Sequence, residues 1–356
     1  MRSALRWERT PLLALAVLTL LLAAWAGIVR LGWDWPVLLA ALPMSHGPLM
    51  VGGFLGTLIG LERAVGVQKS WAYAGPLLTG VGGLLLMVGA PVGWGAALIL
   101  LGSGVLVLVF AGIIRTVPAL YTVAIGLGAL LWLVGNGLWL AGWTVPQVVL
   151  WWAGFLVMTI AGERLELSRL LRLSTTATRL FGAATALFVA GLLLSLVDYA
   201  LGVRLAALGM LALAVWLARY DIAWRRLKAG GQARFVAICL LSGYMWLTVS
   251  GLLALGYGGI TAGPYYDAIL HSLFLGFVLA MIFGHAPIVF PAVLGLPIRY
   301  TPWLYSHLIL LHLTLCLRIT GDLLLWIPGR QWGGLLNGVV VLLFLANTVS
   351  SLRRAE

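Results

Sequence analysis

Charge is what this 356-residue sequence has least of: Asp, Glu, Lys and Arg make up 9% of it, and only 10 residues are acidic. Soluble globular domains are about one quarter charged. A soluble enzyme is therefore excluded, and the uncharged stretches are long enough for segments of roughly 20 residues, the length that spans a bilayer core. Cysteine is nearly absent: Cys239 and Cys316 both lie in apolar runs, so there is no secreted disulfide framework. Soluble linkers, low-complexity tracts and a convincing internal repeat are missing too, which leaves residues 1–356 as one integral membrane domain. What is present is apolar: 62% of residues are hydrophobic and the mean hydropathy is +1.08. The net charge of +12 implies no nucleic-acid partner, because a basic footprint needs a folded soluble face to decorate.

Cutting the sequence at charge clusters and Pro/Gly turns gives twelve segments, each predicted to be a transmembrane helix in an all-α polytopic fold. The first six run from about Pro11 to Trp33, Pro36 to Leu61, Ala72 to Ala90, Gly93 to Ile114, Ala119 to Ala141 and Pro146 to Ala161. The second six run from about Arg179 to Leu201, Val203 to Ala218, Phe235 to Tyr257, Pro264 to Pro287, Thr301 to Gly321 and Gln331 to Ser350. The first run follows Arg2, Arg6 and Arg9 but exceeds the core of about 7 to 15 residues of a signal peptide, so it reads as a retained helix.

An even count puts both termini on one side. If that side is cytoplasmic, 18 of the 22 basic residues fall inside and only Arg30, Arg204, Arg318 and Arg330 outside. That is a strong positive-inside bias, and it reads as a multi-pass protein of the bacterial inner (plasma) membrane with cytoplasmic termini. Trp33, Trp35, Trp71, Trp94, Trp143, Trp303 and Trp332 stand at segment ends, where an amphipathic ring suits the interface. Gly52, Gly56 and Gly60 recur every four residues and are expected to let a neighbouring helix approach closely.

The predicted spans hold almost no carboxylate away from their ends. Asp34, Asp198, Asp267 and Asp322 sit at outer ends, and Glu62, Glu163 and Glu166 at inner ends. Pumps and coupled transporters usually need intramembrane acidic groups, so transport loses weight. Histidine is the exception: all five, His46, His271, His285, His307 and His312, lie within only three segments. An imidazole in hydrocarbon costs desolvation unless it pairs, hydrogen-bonds or binds a metal. A carbonyl or hydroxyl partner explains a single such residue well, and five on three helices less well.

Facing and depth suggest which histidines cooperate. His271 and His285 are 14 residues apart, about 21 Å along an unbroken helix and nearly on one face at 100° per residue. One helix would then supply a ligand to each of two haems set across the membrane. His46 lies at the level of His271 and His307 at that of His285, giving two candidate haem couples, while His312 points elsewhere, with Tyr305 and Cys316 on its side. Gly53, two turns from His46, would leave room for a porphyrin, with Gly47 and Pro48 opening the helix. Arg30 and Arg318 are candidates to pair with haem propionates, with Arg63 and Arg299 as inner counterparts; each serves equally well as a topology anchor. Copper is a rival metal, since Met50 follows His46 and Met281 precedes His285 by four residues, and thioether with imidazole suits Cu(I).

The run from His271 to Met281, with Ser242-Gly243-Tyr244-Met245-Trp246 upstream and His46-Gly47-Pro48-Leu49-Met50 before Gly52, Gly53 and Phe54, resembles helix motifs of the NnrS family. The resemblance implies a haem- and copper-containing bacterial membrane protein, with b-type haem, linked to nitric oxide and nitrosative stress. A histidine on the second and the tenth helix is also similar to low-spin haem ligation in haem-copper oxidase subunit I. The sequence has no adjacent His-His pair, no His-Pro-Glu-Val-Tyr stretch and no His-x-His on the tenth segment, so the binuclear motif is incomplete and enzymatic turnover stays open. His46 follows Ser45 rather than a second histidine, a departure that bears on any copper site. The expected role is electron transfer, with a redox partner or quinone, or nitric oxide handling. The alternatives are a secondary transporter, a copper or haem permease, or an assembly factor.

Overall fold

A computed structural model describes residues 7–352. Among them are twelve helices long and apolar enough to cross a membrane. They are α1 (Thr10–Arg30), α2 (Pro43–Val67), α3 (Ser70–Met87), α4 (Val92–Thr116), α5 (Leu120–Leu140), α6 (Val145–Leu171), α7 (Thr175–Leu194), α8 (Tyr199–Tyr220), α9 (Gly231–Tyr257), α10 (Pro264–Leu294), α11 (Leu304–Leu323) and α12 (Ile327–Ser351). The count and the all-α class agree with the reading from hydropathy. Of the basic residues used for orientation, Arg2, Arg6, Arg353 and Arg354 lie outside the described residues. The connections after odd-numbered helices contain no Lys or Arg, whereas Lys69, Arg172, Arg225, Arg226, Lys228 and Arg299 lie in those after even-numbered ones. Trp71, Trp94, Trp303 and Trp332 are exposed at or beside helix ends.

Three helix boundaries differ from expectation for local reasons. α2 begins at Pro43 rather than Pro36, because Pro43 occupies the first helical turn, where its missing N–H costs nothing. The apolar run before it, with Val37, Leu38 and Leu39 exposed, forms bends and turns instead. α10 continues through Pro287 and Pro291 to Leu294, as proline-bearing helices can in a membrane when freed carbonyls find other partners. Arg9 serves the end of this helix: its Nη1 donates to the carbonyls of Ala292 at 3.1 Å and Val293 at 3.3 Å. α6 extends past Ala161 and carries Arg164 and Glu163 within the helix.

Hydropathy gave no sign of two widened turns. Residues Leu49–Gly56 of α2 and Ser272–Leu279 of α10 are π-helical, and such segments appear often at functional sites. One begins three residues after His46, the other directly after His271. The second re-phases α10. Asp267 pairs with Arg330 of α12, and Phe283 stacks on Phe344 of α12 at 4.6 Å. Sixteen residues of unbroken α-helix would leave Asp267 and Phe283 about 160° apart, yet both reach the same neighbour.

By packing, the chain falls into two units. Among the described residues, the first comprises 7–155, 287–299 and 352. Here the glycine stripe of α2 does what its spacing implies: Gly52 abuts Ile99 of α4, Gly56 the ring of Trp132 on α5, and Gly60 meets Pro76 of α3. Thr57 and Thr79 hydrogen-bond at 3.0 Å, tying α2 to α3. The second unit comprises residues 156–286 and 300–351. Within it α7 packs on α8, α8 on α9 and α11 on α12, and Thr314 donates to Asn337 Oδ1 at 2.7 Å. Arg164 of α6 forms a buried bidentate pair with Asp221 at the end of α8, Nε to Oδ2 2.7 Å and Nη2 to Oδ1 3.0 Å. Arg164 is thus a buried structural cation as well as a basic residue at a helix end.

Candidate histidine site

The five histidines fall into two chemical classes, set by what each Nδ1 meets. His46 Nδ1 lies 2.7 Å from the carbonyl oxygen of Ala23 on α1. His271 Nδ1 lies 2.8 Å from the Asp267 carbonyl, and His285 Nδ1 2.7 Å from that of Met281. A carbonyl oxygen only accepts, so in each neutral ring Nδ1 carries the proton and Nε2 the lone pair, an assignment made from the partner. A metal-bound imidazole has this arrangement, with the second nitrogen fixed by a carbonyl. His46 is further held by Gly27 of α1, where a methyl would lie 2.9 Å from its Cε1.

His307 and His312 are of the opposite kind. Asn347 Nδ2 donates to the Trp303 carbonyl at 3.2 Å, which fixes the amide orientation, and stands 3.0 Å from His307 Nδ1. That Nδ1 accepts, so the proton is on Nε2. The buried ring is enclosed by Phe235, Phe283 and Phe344, with centroids 6.0, 4.5 and 5.4 Å away. Trp246 Nε1 donates to His312 Nδ1 at 3.0 Å, and an indole nitrogen cannot accept; His312 also carries its proton on Nε2. Trp246, rather than Tyr305 or Cys316, is its polar neighbour. In these neutral forms the Nδ1 lone pair of each ring is taken up by the hydrogen bond it accepts, and Nε2 of both rings is buried without a hydrogen-bond partner.

These placements correct two expected relationships. Phe283 faces His307, and His285 follows it by two residues, about 200° around the helix. His285 therefore leaves α10 on the side away from His307, and the two do not form a couple. His271, one turn after Asp267, shares the side that Asp267 and Phe283 define, so it and His285 leave α10 on opposite sides; the π segment between them removes the common face. His46 belongs to the first unit and the other four histidines to the second.

Two further residues sit differently from the sequence reading. Gly53 faces α1 as His46 does, but a methyl on it would meet Thr19 Cγ2 at 3.1 Å and the Gly83 Cα at 3.4 Å; the space serves helix packing rather than a porphyrin. Arg318 is buried instead of lying at the surface, with its Nε 4.0 Å from Asp322 Oδ2. Arg330 adds a second cation, its Nε 2.9 Å from Asp322 Oδ1 and its Nη2 donating to Asp267. This cluster of two cations and two carboxylates stands beside His271. The sequence reading treated its members separately, although Arg318 with Asp322 and Asp267 with His271 are each spaced by four residues. Arg30 is exposed at the end of α1, with Nη1 3.5 Å from the Pro43 carbonyl.

The arrangement, twelve helices with two π segments beside histidines, lies inside one family match, to the family described as Domain of unknown function (DUF8744), which spans residues 9–353. The chain belongs to the DUF8744 family. No curated protein and no solved structure matches it. Among the described residues of this DUF8744 member, no three His, Cys, Asp or Glu side chains gather to hold a metal ion. Met281 packs its methyl end against Gly243 of α9, a gap-filling use of the side chain.

Proposed function

We propose that this DUF8744 protein is a haem-binding multi-pass membrane protein of the bacterial inner membrane, NnrS-like in kind, with cytoplasmic termini. The carrying observation is the Nδ1-to-carbonyl bond shared by His46, His271 and His285, the backbone contact that orients a metal-binding imidazole and sets its tautomer. Haem suits this donor set because it brings four nitrogens of its own and asks the protein for one or two more; a copper ion asks for a fuller cage. His46, His271 and His285 are the residues that would hold the iron, and Arg30 is the exposed cation that would pair with a propionate. Bound haem would supply one-electron transfer or binding of a gas such as nitric oxide. The chain's part is to fix imidazole tautomers with backbone carbonyls and, at His46, to seat the ring against Gly27.

Purified protein from haem-replete cells is expected to show a Soret band and a b-type pyridine haemochrome. A colourless preparation free of iron rejects the reading.

A second reading, ion-coupled transport, draws on one observation: Asp322 is fully buried between Arg318 and Arg330, and intramembrane ionisable clusters mark ion pathways. Substrate or proton flux in proteoliposomes made from the metal-free protein would favour it over haem binding.

A further inference from the structure

In the second unit, where α8 gives way to α9, basic charge stands without a counter-charge. Arg219, Arg225, Arg226 and Lys228 are all exposed, and among the described residues none of them has an ion-pair partner. Between Leu167 and Arg234 the sequence holds only two acidic residues, Asp198 and Asp221. Asp198 caps the opposite end of α8. Asp221 is buried and already committed, to Arg164 and, through Oδ1, to the Ala223 N–H at 2.6 Å. Like charges gathered on one surface repel one another, and an anion from outside the protein relieves them.

Hydrogen bonds fix the shape of this connection. Asp221 precedes the helical turn Ala223–Arg226 and caps it. From the α9 side, Arg234 Nε donates to the carbonyls of Leu227 at 3.0 Å and Ala229 at 3.1 Å. Trp224 Nε1 donates to the Ala218 carbonyl, which folds the turn back onto the last turn of α8, beside Arg219. The Arg219 guanidinium lies over the Tyr220 ring, 5.4 Å from its centroid. Trp224 itself stays exposed, an indole of the kind that sits at headgroup level, and Arg225, Arg226 and Lys228 follow it within four residues.

The surface leading to these cations is apolar and open. Leu201, Leu208 and Val215 are exposed and, at spacings of seven residues, share one stripe of α8; Arg219, four residues on, ends the same stripe. Leu208 to Arg219 covers about 16 Å of helix, close to one leaflet, half of a hydrocarbon core of about 30 Å. A phospholipid has this order, chains first and then a phosphate at the interface. Guanidinium matches phosphate bidentately, and a lysine ammonium adds a point charge. A zwitterionic headgroup brings its own cation and would leave the patch unbalanced, and an acidic protein or a nucleic acid would make no use of the apolar stripe. No cavity is needed, because the stripe and the cations are both open. We infer that the end of α8 and the α8–α9 connection hold the headgroup of an anionic phospholipid, with its chains along Leu208 and Val215. This site uses none of the histidines and stands whether or not haem binds.

The test is native mass spectrometry of the full-length protein in detergent, titrated with dioleoylphosphatidylglycerol or dioleoylphosphatidylcholine. One phosphatidylglycerol is expected to bind at least about tenfold more tightly than phosphatidylcholine. The triple variant Arg225→Gln, Arg226→Gln and Lys228→Gln should lose at least about tenfold, since each cation near an anionic lipid surface is worth about fivefold. A control triple, Lys69→Gln, Arg115→Gln and Arg299→Gln, removes the same charge at or after the ends of α2, α4 and α10 and should leave the affinity within about twofold. Arg225→Gln alone, a single change at an exposed side chain, should cost about fivefold and keeps the test decisive if the triple fails to fold. Equal affinity for the two lipids overturns the inference, as does an unchanged affinity in the folded site variants or a control triple that weakens binding as much as the site triple. So does displacement of the lipid by inorganic phosphate, which would make the patch a site for a free anion.

Discussion

Gly27 of α1 and the imidazole of His46 on α2 touch: a methyl added to Gly27 would stand 2.9 Å from Cε1 and 3.0 Å from Nδ1 of the ring. The glycine and the Ala23 carbonyl, 2.7 Å from Nδ1, lie one turn apart on α1 and together set where Nε2 points. Gly27→Ala should force the ring aside at a cost of about 1–3 kcal/mol, the usual range for overpacking. The check is a Soret or electron paramagnetic resonance shift in Gly27→Ala resembling a weakened form of the His46→Ala spectrum; an unaltered spectrum would remove Gly27 from the site.

Arg164 and Asp221 should behave as a buried ion pair. Removing one partner leaves an uncompensated charge, so Arg164→Leu is expected to destabilise the protein by about 3–5 kcal/mol. Arg164→Leu combined with Asp221→Leu should recover much of that loss, because the remaining charge goes too, although Asp221 Oδ1 also accepts from the Ala223 N–H. Denaturation in detergent mixtures measures both; a double variant worse than the sum of the singles would contradict the pairing.

Asn347 holds His307 in its aromatic enclosure and ties the start of α11 to the end of α12. Asn347→Leu leaves the buried His307 Nδ1 without its donor, which should cost about 1–3 kcal/mol. The haem spectrum should stay as in the wild type, since His307 is assigned no ligand role. Thermal unfolding with absorption read on the same sample separates the two effects, and a spectral change would reinstate His307 as a ligand.

The twelve spans were legible because hydropathy and charge placement are additive along the chain and need no tertiary context. The stripe of Gly52, Gly56 and Gly60 was legible for the same reason: spacing alone puts them on one face. Facing across α10 was not, because nothing in Ser272–Leu279 announces that its turns widen, and one widened stretch moves His285 to the other side from His271. Hydropathy likewise could not tell the exposed turn at Val37–Leu39 from helix, since both are apolar. The tautomers were out of reach as well, since they depend on which carbonyl, amide or indole arrives beside each ring. Asp322 looked like an end-of-helix carboxylate until Arg330, eight residues on, turned back onto it.

The most direct measurement is the absorption spectrum of five purified single variants: His46→Ala, His271→Ala, His285→Ala, His307→Ala and His312→Ala. The tautomer division predicts that haem content or its Soret position changes in the first three and is retained in the last two. Loss of haem in His307→Ala or His312→Ala, with wild-type spectra in His46→Ala and His271→Ala, would contradict it.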